Sequence, residues 1–379
     1  MIPYGKHELR DEDRAAVLEV LDSGWLTGGP TVGAFEEELS AVCAAPNVVT
    51  CVNGTAALHL VAEAIAAPPG SWWICPPSTF VATIQAGIYA GYRPVFADVD
   101  PATGLMAVEA VRDLIEAARD HGAVVAAVVP VDLNGHSAPI QDLADLLDPY
   151  AVPIVRDAAH SLGGQDEDGL PVGGSERVLA TTFSFHPVKL IAAGEGGAIA
   201  THDDEFAARL THLRSHAMVR QPGTPADYRV DAVGYNFRLS DLHAALGLSQ
   251  LRRIGEKLSL RRSLAAAYRE QLESTANVRM VVPREGTQSA WHLASVLVDS
   301  DRRWPLIESL RAAGIGAAHH YPPAHLQPVY QELLPGLEGT CPNAETYCAS
   351  QVTLPLFEGL THAQVTQITT TLKQLLIND

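Results

Sequence analysis

Short apolar runs alternate with helix-like segments through the first two thirds of the chain, and this alternation limits the fold more than any other feature. Each run is continuously apolar, as in strands that are buried on both faces of a sheet. The runs are NVVTCV (47–52), RPVFADV (93–99), AVVAAVVPV (123–131), VPIVRD (152–157) and VLATTFSF (178–185). Strands and helices that alternate in this way predict an α/β fold with a mixed, mostly parallel sheet.

The segment MAVEAVRDLIEAARDHG shows what lies between two of these runs. Its apolar residues repeat with helical spacing on one face, and the pattern stops at a glycine, as in a crossover helix. The residues of this stripe are Val108, Val111, Leu114, Ile115 and Ala118. We therefore expect a crossover helix here.

The pattern of charged and apolar residues changes at about residue 250. A long charged helical pattern, QLRRIGEKLSLRRSLAAAYREQLES, leads into strand-like SAWHLASVLVD, then a helix, a Pro-rich loop and a C-terminal helix. This change predicts a large domain over residues 1–255 and a smaller α+β domain over residues 256–379. No repeat or low-complexity linker separates the two, so we expect them to pack closely.

Charge and hydropathy exclude several classes of partner. A net charge of −18 opposes a general nucleic-acid or anionic-membrane surface, although a locally basic pocket for a small anion is still allowed. No stretch approaches the roughly 18 apolar residues of a membrane span, and the first residues are charged where a secretory signal is apolar. We expect a cytoplasmic protein.

The cysteines and the common motifs give no sign of a metal or a dinucleotide. The five cysteines are odd in number and form no CxxC pair, so buried thiols are expected rather than a zinc site or disulfides. The sequence holds no HExxH, no P-loop and no strand-linked GxGxxG.

Polar residues that follow the apolar runs are the candidates for a ligand site, because open α/β sheets bind ligands beyond the carboxyl ends of their strands. After the first run, Asn53, Gly54 and Thr55 open an Ala-rich helix. A glycine that permits close approach, free N–H groups and a hydroxyl together suit a phosphate. The alternative is that Asn53 or Thr55 serves only as an N-cap.

Asp157 ends the fourth run and is followed by AAHSLGG. A buried carboxylate is costly unless it meets a cation or several donors, so Asp157 needs a partner. A ligand, a structural arginine or a helix N-terminus would each serve. His160, three residues later, is a candidate ligand contact or a core histidine.

Lys189 lies in FSFHPVKLIAAGEGG (183–197), among apolar and small residues. Desolvation disfavours the charged amine, which makes it nucleophilic near neutral pH and suits it to a Schiff base. Ser184 precedes it by five residues and adds a hydroxyl. The alternative is a surface lysine in a loop that merely contains alanines.

Together these residues match the needs of pyridoxal 5'-phosphate, whose phosphate is anchored, whose ring nitrogen is kept protonated and whose aldehyde binds an amine. Asp157 suits the ring nitrogen and Lys189 the aldehyde. Phe80, in PPSTFVAT, follows another candidate strand and is suited to cover the ring, with core packing as its alternative.

The sequence resembles the DegT/StrS-type nucleotide-sugar aminotransferases, which are pyridoxal phosphate enzymes of fold type I, and the resemblance runs nearly end to end. The matching stretches are IPYGKHEL, WLTGGPTVGAFEEEL, NGTAALHL, STFVATIQAGIYAGYRPVFADVD, DAAHSLGG, FSFHPVKLIAAGEGGAIAT, GYNFRLSDLHAALGLSQL, SAWHL and CPNAETY. Within the family, IPYGK, WLTGGP, SAWHL, HHYPPAHLQPVY and CPNAE look most like the 4-aminotransferases of the pseudaminic acid pathway, which act on UDP-linked 4-keto-6-deoxy-N-acetylhexosamines.

The resemblance implies roles for the residues that bind the cofactor. Lys189 would form the Schiff base and carry protons, and Asp157 would pair with the pyridine nitrogen. Phe80 would stack on the ring, and His160 would lie near its hydroxyl.

For the phosphate, the resemblance implies Gly54, Thr55 and Ser184. It also implies that Asn236, in GYN, reaches the phosphate of a neighbouring subunit. A homodimer with composite sites is therefore expected.

Substrate residues are expected in the N-terminal arm (about 1–30) and around the second half of the chain. The candidates are Lys6, Trp25, Thr27, Glu195, Arg220, His319 and Tyr321. A nucleotide diphosphate needs positive charge, for which Lys6, Arg214, Arg220, Arg238 and the histidines of HHYPPAH are candidates.

Several positions depart from the family pattern and bear on the substrate. The sequence has VNGTAAL in place of the usual SNGTAAL, and DLNGH in place of a segment similar to HFAGQ. Ala192 and Ala193 occupy positions where threonines are frequent. The expected reaction is ping-pong transfer of an amino group from L-glutamate to the C4 ketone of a nucleotide-linked 4-keto-6-deoxy sugar. The alternatives are another keto sugar (dTDP- or GDP-linked, or a 3-keto sugar), a fold-type-I lyase, and a non-catalytic regulator.

Overall fold

The computed structural model describes residues 1–220 and 227–377. The strands are β1 Asn47–Cys51, β2 Trp72–Cys75, β3 Arg93–Phe96, β4 Val125–Val128, β5 Val155–Asp157, β6 Ala180–Ser184, β7 Gly197–Thr201, β8 Met218–Arg220, β9 Tyr228–Val230, β10 Arg279–Met280, β11 Ala294–Leu297 and β12 Gln351–Leu354. The helices are α1 Asp11–Ser23, α2 Pro30–Cys43, α3 Gly54–Ile65, α4 Val81–Tyr89, α5 Val108–His121, α6 Ile140–Leu147, α7 Asp204–Arg214, α8 Asp241–Leu251, α9 Ile254–Leu272, α10 Arg303–Ala312, α11 Pro328–Leu333, α12 Pro342–Ser350 and α13 His362–Ile377.

The main sheet has the order β1–β7–β6–β5–β4–β2–β3. Its two parts, β1–β7–β6–β5 and β3–β2–β4, are joined by parallel bridges from Val128 to Ile154 and from Val131 to Asp157. β7 runs antiparallel to both of its neighbours, whereas the other adjacent strands pair in parallel. The predicted mixed and mostly parallel sheet is therefore confirmed.

The elements around this sheet follow from the sequence pattern. Each of the five predicted apolar runs contains one strand. The predicted crossover helix is α5, which buries Val111, Ile115 and Ala118 and ends at Gly122 with a left-handed φ of 64°. Such a φ is accessible to glycine at little cost, which explains the stop.

A second, smaller layer forms from the last third of the chain. The antiparallel strands β10–β11–β12 pack with α9, α10 and α13 around their own hydrophobic core. Ile2 joins this core and bridges to Ile315, so the first residues of the chain lie on the small layer.

One part of the predicted small domain packs elsewhere. Ala324, Tyr330, Cys341 and Ala344 belong to the hydrophobic core beneath the main sheet. Asp98 accepts hydrogen bonds from two N–H groups at the start of α12. These bonds hold that helix to the main sheet and its helices, which together form the large layer. The division at residue 255 stays a prediction, and residues 324–344 sit with the large layer.

The five cysteines are buried and unpaired, as expected. Within residues 1–220 and 227–377, no helix combines the length and apolar character that a membrane span requires.

Candidate active site

A cavity of about 410 Å³ opens beyond the carboxyl ends of β1, β5 and β6. Most of the predicted cofactor residues and two of the predicted substrate residues line it. They are Gly54, Thr55, Phe80, Asp157, His160, Ser184, Lys189, Glu195 and Tyr321. The strand ends therefore bring together residues that are more than a hundred positions apart in the chain.

The turn from β1 into α3 forms a tight pocket against β6. A Cβ on Gly54 would lie 2.8 Å from the Cβ of Ser184, so this close approach requires glycine. Asn53 accepts a hydrogen bond from the Ala56 N–H at 2.8 Å and is an N-cap, while Thr55 lines the cavity. The first N–H groups of a helix have no partner within it, and together with these hydroxyls they suit an anion.

Asp157, at the end of β5, is buried, and no arginine among the described residues pairs with it. Its carboxylate accepts hydrogen bonds from the Thr83 hydroxyl at 2.6 Å and from the Ala159 N–H at 3.2 Å. The neighbouring Arg156 is paired instead with Asp132 at 2.8 Å. Burial raises the pKa of Asp157, and the two hydrogen bonds oppose this only in part. A cationic ligand in the cavity would relieve that cost.

Lys189 lies in the loop between β6 and β7 and is partly buried. Burial lowers the pKa of its amine to about 8, and the nearby Asp157 acts in the opposite direction. A lowered pKa makes more of the amine neutral, and hence nucleophilic, at neutral pH. Lys189 also lines the cavity, so it is not an ordinary surface lysine.

Phe80 stands at the mouth of the cavity. Its side chain is 55% exposed, and its ring centroid lies 5.7 Å from that of Tyr321. The alternative of core packing is excluded for Phe80, because a core side chain would be covered. An exposed ring next to Asp157 and Lys189 is available to cover a planar ligand.

Two histidines pack against each other on one side of the cavity. The ring centroids of His160 and His292 are 4.3 Å apart, and both side chains are more than nine-tenths buried. Burial, followed by neighbouring cationic groups that include Lys189, holds the pKa of both imidazoles well below the usual range. Each Nδ1 is buried and has no hydrogen-bond partner within the described part of the chain.

Three predicted substrate residues lie outside the cavity lining. Lys6, Trp25 and Thr27 are exposed, and Thr27 forms a bridge with Ser240 at the start of α8. The arm reaches the cavity through Tyr4 instead.

His319 also does not line the cavity of its own chain, and its contact with the substrate stays a prediction. Its Nε2 lies 3.1 Å from an Arg303 nitrogen, whereas the next residue, His320, lines the cavity. Successive side chains of an extended segment point to opposite sides, so the two histidines face different surroundings. His325, the last of that group, is buried and lies 3.0 Å from Glu345.

Of the predicted diphosphate-binding arginines, Arg214 is already engaged. It donates to Glu36 at 2.8 Å and to the Thr50 carbonyl at 2.7 Å, beneath β1. The side chain of Arg220 lies outside the described residues.

Asn236 and Arg238 are exposed and do not line the cavity of their own chain. They follow β9, and Val233, between β9 and Asn236, is 87% exposed. Among the described residues, Asn236 is not part of the lining that contains the predicted phosphate residues, so its role at the phosphate stays a prediction.

Three residues that matter to the site were not candidates in the sequence. Thr83 holds Asp157, and Tyr4 and His292 line the cavity. His320, one of the histidines of HHYPPAH that were candidates for the diphosphate, lines it as well. Thr83 also meets the hydroxyl of Thr79 at 2.7 Å, whereas Tyr4 and His292 depend on how the small layer folds against the main sheet.

The chain matches known proteins over nearly its whole length. The model of the DegT/DnrJ/EryC1/StrS aminotransferase family matches residues 7–373. Among solved structures, the chain is similar to Helicobacter pylori PseC, an aminotransferase involved in the biosynthesis of pseudoaminic acid, with 28% identity, a TM-score of 0.93 and 100% of both chains covered.

Two further structures resemble the chain closely. Spr1654 from Streptococcus pneumoniae, in its PLP form, has 25% identity and a TM-score of 0.91 over 100% of this chain and 99% of that one. S. venezuelae DesV, in complex with a ketimine intermediate, has 30% identity and a TM-score of 0.86 over 97% and 94%. The chain therefore belongs to the DegT/DnrJ/EryC1/StrS aminotransferase family, and it is a pyridoxal phosphate-dependent sugar aminotransferase of fold type I.

Proposed function

We propose that this aminotransferase moves the amino group of L-glutamate to the C4 ketone of a nucleotide-linked 4-keto-6-deoxy sugar, of the UDP-N-acetylhexosamine type. The observation that carries the amino-transfer chemistry is the placement of Lys189 in one cavity with the buried Asp157. The similarity to PseC over the whole of both chains supports the class of sugar.

The cavity residues fit pyridoxal 5'-phosphate. Gly54, Thr55 and Ser184 would hold the phosphate, and Asp157, which forms no salt bridge with the described residues, would pair with a protonated ring nitrogen. Phe80 would cover the ring. When bound, the cofactor supplies an electron-accepting ring that stabilises the charge left on a carbon when its proton departs.

Lys189 carries the proton transfers in this proposal. As a neutral amine, its Nζ takes the proton from the α-carbon of the amino donor, and in the second half of the reaction it returns a proton to C4 of the sugar. The lowered pKa of about 8 suits both steps, because Nζ then exchanges protons near neutral pH. The donor leaves as its keto acid before the sugar binds, so the kinetics are ping-pong.

The enzyme acts as a homodimer in this proposal. No arginine from the described residues lines the cavity, yet the glutamate carboxylates and the sugar diphosphate need positive charge. Asn236 and Arg238 lie on an exposed segment, from which they would reach the site of a second subunit. The expected cytoplasmic location is part of the proposal, since both substrates are charged small molecules.

The test is a screen of 4-keto and 3-keto sugar nucleotides against the glutamate-loaded enzyme, with the amino sugar identified by mass spectrometry. We expect one equivalent of 2-oxoglutarate for each amino sugar, and the fastest turnover with a UDP-linked 4-keto-6-deoxy-N-acetylhexosamine. Faster turnover of a dTDP-linked or 3-keto sugar would replace the sugar assignment. Turnover of an amino acid without any keto sugar would favour a lyase and overturn the proposal.

A further inference from the structure

A second buried lysine lies next to the segment that carries Lys189. Lys257, on α9, is 6% exposed and does not line the cavity. Its Nζ donates to the carbonyl oxygen of Leu190 at 3.0 Å and to Oε1 of Gln250 at 2.8 Å. Lys257 therefore holds the backbone at the residue that follows Lys189.

Gln250 extends this contact to two other parts of the chain. Its Oε1 also accepts the Ala192 N–H at 3.3 Å, and its Nε2 donates to the Glu8 carbonyl at 3.1 Å. Two backbone groups of the Lys189 loop are thus attached to α8 and α9, and through Glu8 to the N-terminal arm.

Glu358 connects the same lysine to the small layer. Its Oε2 lies 3.8 Å from the Nζ of Lys257, and its Oε1 accepts the Nε–H of Arg261 at 2.9 Å. Arg261 in turn donates to the carbonyl oxygen of His292, whose ring lines the cavity.

Packing alone does not explain a lysine at this position. Leu190 packs against Leu258 and Ala290 in a small apolar cluster beside it, where an apolar side chain would bury at no electrostatic cost. A buried ammonium is unfavourable unless its donors are satisfied, and Lys257 directs its donors at the Lys189 loop and at Glu358.

We propose that Lys257 is a positioning residue for amino transfer: it fixes the backbone at Leu190, and thereby the direction of the Lys189 side chain, and it couples that loop to the small layer through Glu358. The inference rests on the proposed function of Lys189 and adds a residue that touches neither cofactor nor substrate.

The test compares Lys257→Met, which keeps the length of the side chain but removes its donors, with Lys373→Met, the same change on α13. The chain has four lysines, so peptide mapping shows which of them carries the cofactor label that is used in the second readout. We expect Lys257→Met to lower kcat about 10- to 100-fold and to change KM less than about threefold, because a misdirected amine slows chemistry more than binding. Lys373→Met should leave both constants within about twofold.

A second readout needs no turnover. In cofactor-free protein, amide hydrogen exchange in the peptide spanning 185–195 should become at least about tenfold faster in Lys257→Met, relative to a peptide from α13. Borohydride-fixed attachment of added pyridoxal 5'-phosphate at Lys189 should slow by a similar factor. Should Lys257→Met fail to fold, Glu358→Gln serves, with the same direction of change and a smaller size.

A purely structural role for Lys257 predicts a lower melting temperature with unchanged kcat, exchange and attachment well below that temperature. That outcome would overturn the inference. If the wild-type enzyme transfers its amine to no keto sugar, the proposed function fails, whereas the exchange and attachment measurements still decide the role of Lys257.

Discussion

The floor and the outer wall of the cavity are built from different parts of the chain. The floor comprises Gly54, Thr55, Asp157, Ser184 and Lys189. The outer wall comprises Tyr4, His320 and Tyr321. Asp157 and Ser184 end strands, where sheet hydrogen bonds fix the backbone, whereas Gly54 and Thr55 open α3 and Lys189 lies in the loop between β6 and β7. Wall residues come from the N-terminal arm and from the segment that precedes α11.

The backbone of the wall is held by hydrogen bonds to the small layer. The Tyr4 carbonyl accepts the Leu356 N–H at 3.0 Å, and the His320 N–H donates to Gln351 at 2.9 Å. Both contacts attach the wall to the small layer rather than to the main sheet. We therefore expect the floor residues to carry the chemistry that all substrates share, and the wall residues to determine which substrate binds.

The largest loss of turnover is expected from substitution of Lys189, on the floor of the cavity. Lys189→Ala removes the group that carries the proton transfers, so turnover should fall by at least about 10³-fold while the fold is kept. Steady-state kinetics and circular dichroism measure the two properties. Lys373→Ala, on α13, is the matched control, and full turnover in Lys189→Ala would remove Lys189 from its role.

The pH dependence of labelling tests the surroundings of Lys189. Only the neutral amine reacts, so labelling of cofactor-free protein should rise with pH through a midpoint near 8 and level off well above it. At pH 7 an amine of pKa 8 is about 200-fold more often neutral than one with the ordinary pKa of 10.4. Asp157→Asn should move the midpoint lower, because the carboxylate favours the charged amine. A midpoint near 10 in wild-type protein would contradict the burial of Lys189.

Asp157 is expected to matter almost as much. Asp157→Asn keeps the shape but removes the charge that would hold the ring nitrogen protonated, so kcat should fall about 10²-fold with cofactor still bound. Thr83→Val leaves the carboxylate and removes its hydroxyl partner, for which about a tenfold loss is expected. Unchanged kinetics in Asp157→Asn would end this assignment.

The smallest effects distinguish two adjacent wall positions. His320→Ala should lower kcat/KM for the keto sugar about tenfold, since His320 lines the cavity and lies 2.8 Å from the Thr353 hydroxyl. His319→Ala should stay within about twofold, because His319 faces Arg303. Equal losses in the two variants would contradict the assignment of His320, and not His319, to the outer wall of the cavity.

The floor could be predicted from the sequence because it needs only two readable facts, namely where apolar runs end and which polar residues follow them. Ser184 and Asp157 were found in that way. Of the wall, Tyr321 and the histidines of HHYPPAH were candidates in the sequence, whereas Tyr4 was not, because the N-terminal arm enters the cavity only after the small layer has folded against the main sheet. His319 and His320 could not be told apart, because residue type alone does not show which side of an extended segment faces the site.

The central claim is that Lys189 is the amine that binds the cofactor. The most direct measurement is borohydride reduction of the enzyme loaded with pyridoxal 5'-phosphate, followed by proteolysis and mass spectrometry of the peptides that contain its four lysines. We expect one phosphopyridoxyl group per chain, on the peptide that contains Lys189, and none in Lys189→Ala. A label on Lys6, Lys257 or Lys373 in place of Lys189, or no label at all, would contradict it.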